Sequence, residues 1–248
     1  MDDDRLEWKL RAAAIPGALL VALAFHAWPT GHMLQRTFLS MIVHEFGHAT
    51  TSWWCGFNAL PGLWKTLIPE TRGLVWLAVA AFEVGLVVYG WKRARLAIAL
   101  VGIALAIVQF VGTRASIDDA QAWITFGGDG GAMVLGTLLM ASFFVPKLRE
   151  HGLRWGLLAI GAAAFVDTFA TWWSARTDPD VIPFGEIEGV GLSDPSKLQE
   201  VFGWSTNQLV HRYVSVGVGC MVALAAVYAW AVWAARAARV DVGPGTPS

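Results

Sequence analysis

Long apolar stretches broken by short charged clusters dominate the chain, and few of them show strict alternation or a one-sided helical stripe. A helix needs about 20 mostly apolar residues to cross hydrocarbon, because every backbone N–H and C=O must be paired within the segment. By that measure seven segments are predicted: 12–29, 34–54, 73–91, 96–111, a fifth from about 130 (or from nearer 120) to 145, 155–175, and 213–235. The first lies in a run without charge between Arg11 and Arg36 and is too long for a removable signal peptide. Glu83 is the single charge in the third segment and Asp167 the single charge in the sixth. The second is the odd one, because Thr, Ser, His and Glu are embedded among its apolar residues.

Composition agrees with the pattern. Only 15% of the 248 residues are charged against 56% hydrophobic, and mean hydropathy is +0.51, whereas a soluble domain carries about a quarter charged residues. High apolar content excludes disorder, two cysteines exclude a disulfide scaffold, and 18 Lys+Arg against 19 Asp+Glu exclude a nucleic-acid binder. Many of the 14 tryptophans stand near segment ends (Trp28, Trp53, Trp54, Trp91, Trp155, Trp172, Trp173), as indole rings do at the edge of hydrocarbon. Cys55 and Cys220 read as buried thiols. The expected fold is all-α: a polytopic transmembrane helical bundle of six or seven spans. It forms one domain over 1–239, with a disordered tail at 240–248 and a disordered start at 1–4.

Basic residues in short loops mark the cytoplasmic side. Lys92, Arg93 and Arg95, then Lys147, Arg149 and Arg154, then Arg236 and Arg239 alternate correctly, which places the acidic stretch 176–207 outside. A full crossing by 34–54 puts the N-terminus outside, against the preference of Arg5, Lys9 and Arg11. Otherwise part of 34–69 re-enters without crossing. The expected location is the cytoplasmic membrane of a bacterium.

The second segment contains His44-Glu45-Phe46-Gly47-His48. Two histidines four apart share a helix face and can bind one Zn²⁺, and the Glu between them is placed to act as a general base. With six His and eight Glu in the chain, chance produces this pattern about half a per cent of the time. Thr37, Ser40, His44, His48 and Thr51 follow spacings of three and four, a polar stripe that needs water or a partner.

A catalytic zinc takes a third protein ligand and leaves a position open. Asp129 in Gly127-Gly128-Asp129-Gly130-Gly131 is the leading candidate, since four glycines let the backbone approach another helix. The competing expectation is a turn with Asp129 as the N-cap of the fifth segment. Glu83 and Asp167 are each open to roles as ligand, as partner of a liganding imidazole, or as lining of a wet cavity. His26, His32, His151 and His211 read as interface histidines, and Cys55 lies too far along the helix to share the metal.

An HExxH inside an apolar segment, with an Asp-Gly some eighty residues later, resembles the site-2-protease family of intramembrane zinc metalloproteases. The resemblance covers the two motifs and the helices bearing them. It implies that His44, His48 and Asp129 bind zinc and that Glu45 is the general base. Gly128 stands where that family carries leucine, and no PDZ-like insertion is present. The stretch 55–73, interrupted by Gly56, Pro61, Gly62 and Pro69, is either a family-like re-entrant element or a surface loop. The expected activity is zinc-dependent cleavage of a membrane protein or membrane-associated peptide within the bilayer, with no nucleic-acid partner. The sequence does not specify an oligomeric state. The rival expectation is a non-hydrolytic membrane protein, either a metal transporter or a chaperone-like binder.

Overall fold

Helices account for nearly all of the regular structure in a computed structural model that describes residues 2–149, 152–187 and 191–240. In chain order they are α1 (Asp2–Ala27), α2 (Pro29–Gln35), α3 (Met41–Trp54), α4 (Val75–Lys92), α5 (Leu96–Arg114), α6 (Ile117–Ala141), α7 (Pro146–Arg149), α8 (Leu153–Ser174), α9 (Asp194–Glu200) and α10 (Thr206–Val240). A single π-helical turn, Arg36–Ser40, joins α2 to α3. One two-stranded antiparallel ribbon pairs β1 (Glu186–Ile187) with β2 (Gly191–Leu192).

Among the described residues six helices are long and apolar enough to cross a membrane: Glu7–Ala27, Val75–Lys92, Leu96–Arg114, Ile117–Phe144, Leu153–Ser174 and Thr206–Ala237. The protein is therefore an all-α polytopic membrane protein. The segment expected over 34–54 lies within a continuous helical run from α2 through the π turn into the 14-residue α3. The fifth segment takes the earlier of its two expected starts. Because α6 runs unbroken from Ile117, Asp129 is a mid-helix residue and caps nothing. Residues 2–4, expected to be disordered, belong to α1. His151, Glu188 and the tail from 241 lie outside the described residues.

The described chain forms two compact units, each assembled from separate stretches of sequence. The first takes in Met1–Val43, Ala132–Val181 and Val210–Ser248. Within it, Arg154 at the start of α8 pairs with Glu7 in α1 through two contacts of 2.9 and 3.2 Å. Gly136 and Gly161 bring α6 and α8 together so closely that a Cβ on Gly136 would stand 2.7 Å from the Gly161 carbonyl oxygen. Trp172 is fully buried and stacked on Tyr213, so this tryptophan fills the core, while Trp28, Trp91, Trp155 and Trp173 are exposed as an interface belt requires.

The second unit takes in His44–Gly131 and Ile182–Leu209. Arg72 fastens the ends of two of its helices, donating from Nε to the Cys55 carbonyl at 2.9 Å and from Nη2 to that of Ala115 at 2.7 Å. Those carbonyls follow α3 and α5, where helix ends lack partners of their own. A small core of Cys55, Phe57, Ala120 and Ile124 packs beneath. In the stretch 55–73, Leu60 and Leu67 form an isolated antiparallel bridge, with Leu60, Leu63, Trp64 and Leu67 exposed around it.

Candidate metal centre

The site lies in the second unit and begins with the spacing in α3. Four positions after His44 and directly after Gly47 comes His48, and the two imidazoles stand edge to face with centroids 4.7 Å apart. Gly47 admits α6: a Cβ there would run into the carbonyl oxygen of Gly127 and stand 2.8 Å from that of Gly128. A Cβ on Gly128 would stand 2.6 Å from both His44 Cε1 and His48 Nε2. Glycine inside a helix costs about 1 kcal/mol relative to alanine. Here that cost lets two backbones meet and gives the imidazoles the room beside α6.

Each imidazole is oriented through its Nδ1. His44 donates to Asp129 Oδ1 at 2.9 Å, and His48 donates to the Ile124 carbonyl at 2.7 Å. A carbonyl only accepts, so the His48 Nδ1 carries its hydrogen, and the Asp129 carboxylate accepts from His44 Nδ1 in the same way. Both Nε2 atoms are thereby turned toward one another, 3.1 Å apart.

The third corner comes from α9. Ser193 caps this short helix by accepting from the Ser196 backbone N–H, and Pro195 sits within its first turn. The Ser196 hydroxyl accepts from the Gly185 N–H at 2.8 Å, and Leu198 is fully buried. Asp194, the first residue of this pinned helix, reaches the two histidines, its Oδ2 standing 3.1 Å from His44 Nε2 and 2.9 Å from His48 Nε2. The three facing atoms form a nearly equilateral triangle with every side close to 3 Å.

This differs from the expected ligand set. Asp129 meets His44, but at the outer nitrogen, and the carboxylate facing both Nε2 atoms belongs to Asp194. The physical reason is helical register. Gly128, which has no side chain, occupies the position of α6 nearest the Nε2 atoms, and Asp129 lies about 100° further round the helix. Ser193-Asp194-Pro195 is a helix-start pattern that marks this aspartate as fixed rather than loosely held. Nothing in the sequence places it beside α3.

Glu45 is buried, and its Oε2 lies 2.7 Å from the Thr66 hydroxyl, which is also 2.8 Å from the Glu45 carbonyl oxygen. Thr66, in the bridged stretch 55–73, was not singled out by sequence. Glu83 accepts from Trp54 Nε1 at 3.1 Å and stands outside this group.

No family model, curated protein or solved structure matches the chain. The chemistry of the site must therefore come from its atoms. With both Nδ1 hydrogens directed outward, two nitrogen lone pairs and a carboxylate oxygen converge, a group that added protons or a metal cation between them would satisfy. Protons can fill that role. Although burial by itself would raise its pKa, the charge of His48 and hydrogen bonds from the two imidazoles hold the Asp194 carboxyl well below the usual carboxylate range. A divalent metal fills it equally well, since two imidazoles and a carboxylate are a ligand set of catalytic zinc sites.

Among the described residues a second group of possible ligands lies in the first unit: His26, His32 and Asp167. The sequence marked Asp167 as the single charge of the sixth segment and the two histidines as interface residues. The structure gathers all three.

Proposed function

We propose that the protein is a zinc-dependent intramembrane endopeptidase in which His44, His48 and Asp194 hold the metal, Asp129 orients His44, and Glu45 is the general base. The observation that carries this reading is the triangle of outward-committed imidazoles and carboxylate, each pair of facing atoms 2.9–3.1 Å apart. The HExxH order and the likeness to site-2 proteases supply the reaction class. When bound, Zn²⁺ lowers the pKa of water to about 7 and polarises a carbonyl.

The protein's own residues do the rest. The Asp129 carboxylate keeps His44 in the tautomer that presents a bare Nε2, and the Ile124 carbonyl does the same for His48. Thr66 holds one oxygen of the Glu45 carboxylate in place. Glu45 accepts the proton of the attacking water and returns it to the leaving amine. Substrates are single-span proteins or membrane-associated peptides, unwound so that a carbonyl is reachable, in the cytoplasmic membrane of a bacterium.

One observation favours metal transport as a second reading: a carrier needs more than one ligand set, and His26, His32 and Asp167 provide another. Glu45 separates the two readings, because transport does not need a general base. Membranes from cells expressing wild type or Glu45→Gln are compared by mapping new polypeptide termini with mass spectrometry. The expected result is termini within or beside apolar segments in the wild type only, with equal zinc content in both proteins. Identical termini in the two samples overturn the hydrolytic assignment.

A further inference from the structure

We propose that the first unit carries a second site for a divalent transition-metal ion, formed by His26 of α1, His32 of α2 and Asp167 of α8. The argument starts from the two oxygens of Asp167, a residue with no exposure at all. Its Oδ2 accepts from the Ser40 hydroxyl at 2.6 Å and from Arg36 Nη1 at 2.9 Å. Its Oδ1 faces the imidazoles, with His32 Nε2 at 2.8 Å and His26 Nδ1 at 3.9 Å. A carboxylate that ligates through one oxygen is commonly held by hydrogen bonds at the other, and that division of labour is present here.

The decisive atom is His26 Nδ1. It is buried and, among the described residues, has no hydrogen-bond partner, because 3.9 Å to Oδ1 is too long. Leaving such a nitrogen unsatisfied gives up its hydration with nothing in return. The two rings stand 4.4 Å apart, and the three ligand atoms all lie within 4.8 Å of one another. An ion among them satisfies His26 and displaces the proton that His32 donates to Asp167, releasing it to solvent. Two imidazoles and a carboxylate favour zinc, cobalt or a neighbouring first-row divalent ion over magnesium or calcium. The side chains of His32 and Arg36 are 38% and 37% exposed, which provides an entry and leaves room for water as a further ligand. The charge of Arg36 opposes a second cation, so this site fills after the one at His44 and His48.

The test uses the untagged full chain in detergent micelles, stripped with a chelator and titrated with Co²⁺. Visible absorption and metal content after gel filtration are expected to show about two ions per chain. His44→Ala/His48→Ala is expected to keep about one, and adding His26→Gln to remove it. His26→Gln is the variant of choice because Nδ1 makes no hydrogen bond that the substitution would break. A measurement on the wild type keeps the test independent of how the variants fold. Co²⁺ is expected to slow diethyl pyrocarbonate modification of His26 and His32, read by peptide mass spectrometry, with exposed His211 as the unprotected reference. Unprotected His26 and His32 in Co²⁺-loaded wild type overturn the site, as does a residual ion that survives His26→Gln.

Discussion

Two carboxylates approach His44 from opposite edges of its ring, Asp129 at Nδ1 and Asp194 at Nε2, both within hydrogen-bond reach. In the proposed centre they have different tasks. Asp194→Asn replaces a ligand carboxylate by a neutral amide oxygen, a much poorer donor to a divalent ion, and zinc is expected to be lost on dialysis. Asp129→Asn leaves the ligand triangle in place and weakens only the hold on the His44 tautomer, so affinity is expected to fall about 10–100-fold. Competition against a chromogenic chelator measures both. A larger loss from Asp129→Asn than from Asp194→Asn would reverse the assignment and return Asp129 to the ligand role that its Asp-Gly motif implies.

At the scale of elements, the centre depends on α3 and α6 approaching to backbone contact. A Cβ on Gly131 would stand 2.5 Å from Gly47 Cα, so both helices need glycine where they meet. Gly47→Ala is expected to destabilise the protein by about 1–3 kcal/mol through overpacking, lowering Tm by several degrees. Gly128→Ala pushes a methyl group into the imidazoles and is expected to reduce zinc retention more than thermal stability. Gly85 in α4 supplies the contrast. A Cβ there meets nothing within 4 Å, so Gly85→Ala is expected to raise stability by about 0.5–1 kcal/mol through helix propensity alone. Thermal unfolding and zinc content on the three variants check these outcomes. A Tm unchanged in Gly47→Ala would refute the close crossing.

For the whole molecule, a count of six spans would remove the conflict over orientation. With an even count both termini lie on one side, and the basic N-terminus with Lys9 and Arg11 is then expected on the side marked by the three basic clusters. The Glu7–Arg154 pair agrees, because it sets the early part of α1 beside the beginning of α8, which follows the short helix α7 that carries Lys147. Tags at the N-terminus, after Lys92, after Lys147 and at the C-terminus are all expected to report cytoplasm. A tag between Val181 and Asp194 is expected to report the opposite side. An N-terminal tag outside would require α2 and α3 to complete a seventh crossing.

The sequence by itself determined what local geometry and transfer free energy control. Crossing helices follow from apolar length, because unsatisfied backbone is intolerable in hydrocarbon. The His44/His48 pair follows from the pitch of one helix, which puts residues four apart on one face whatever surrounds them. The glycines around Asp129 correctly announced a close helix approach, since no other residue leaves a backbone bare. Tertiary structure alone decided which carboxylate faces the two Nε2 atoms. Asp129 and Asp194 are separated from the histidines by some 80 and 150 residues, and a rotation of about 100° between neighbouring helical positions turns a ligand into an outer partner. It also decided that His26, His32 and Asp167 belong together, a grouping carried by three different elements and by no local pattern. Periodicity reports the face a residue occupies on its own helix, whereas the partner that face meets is set by packing among segments distant in the chain.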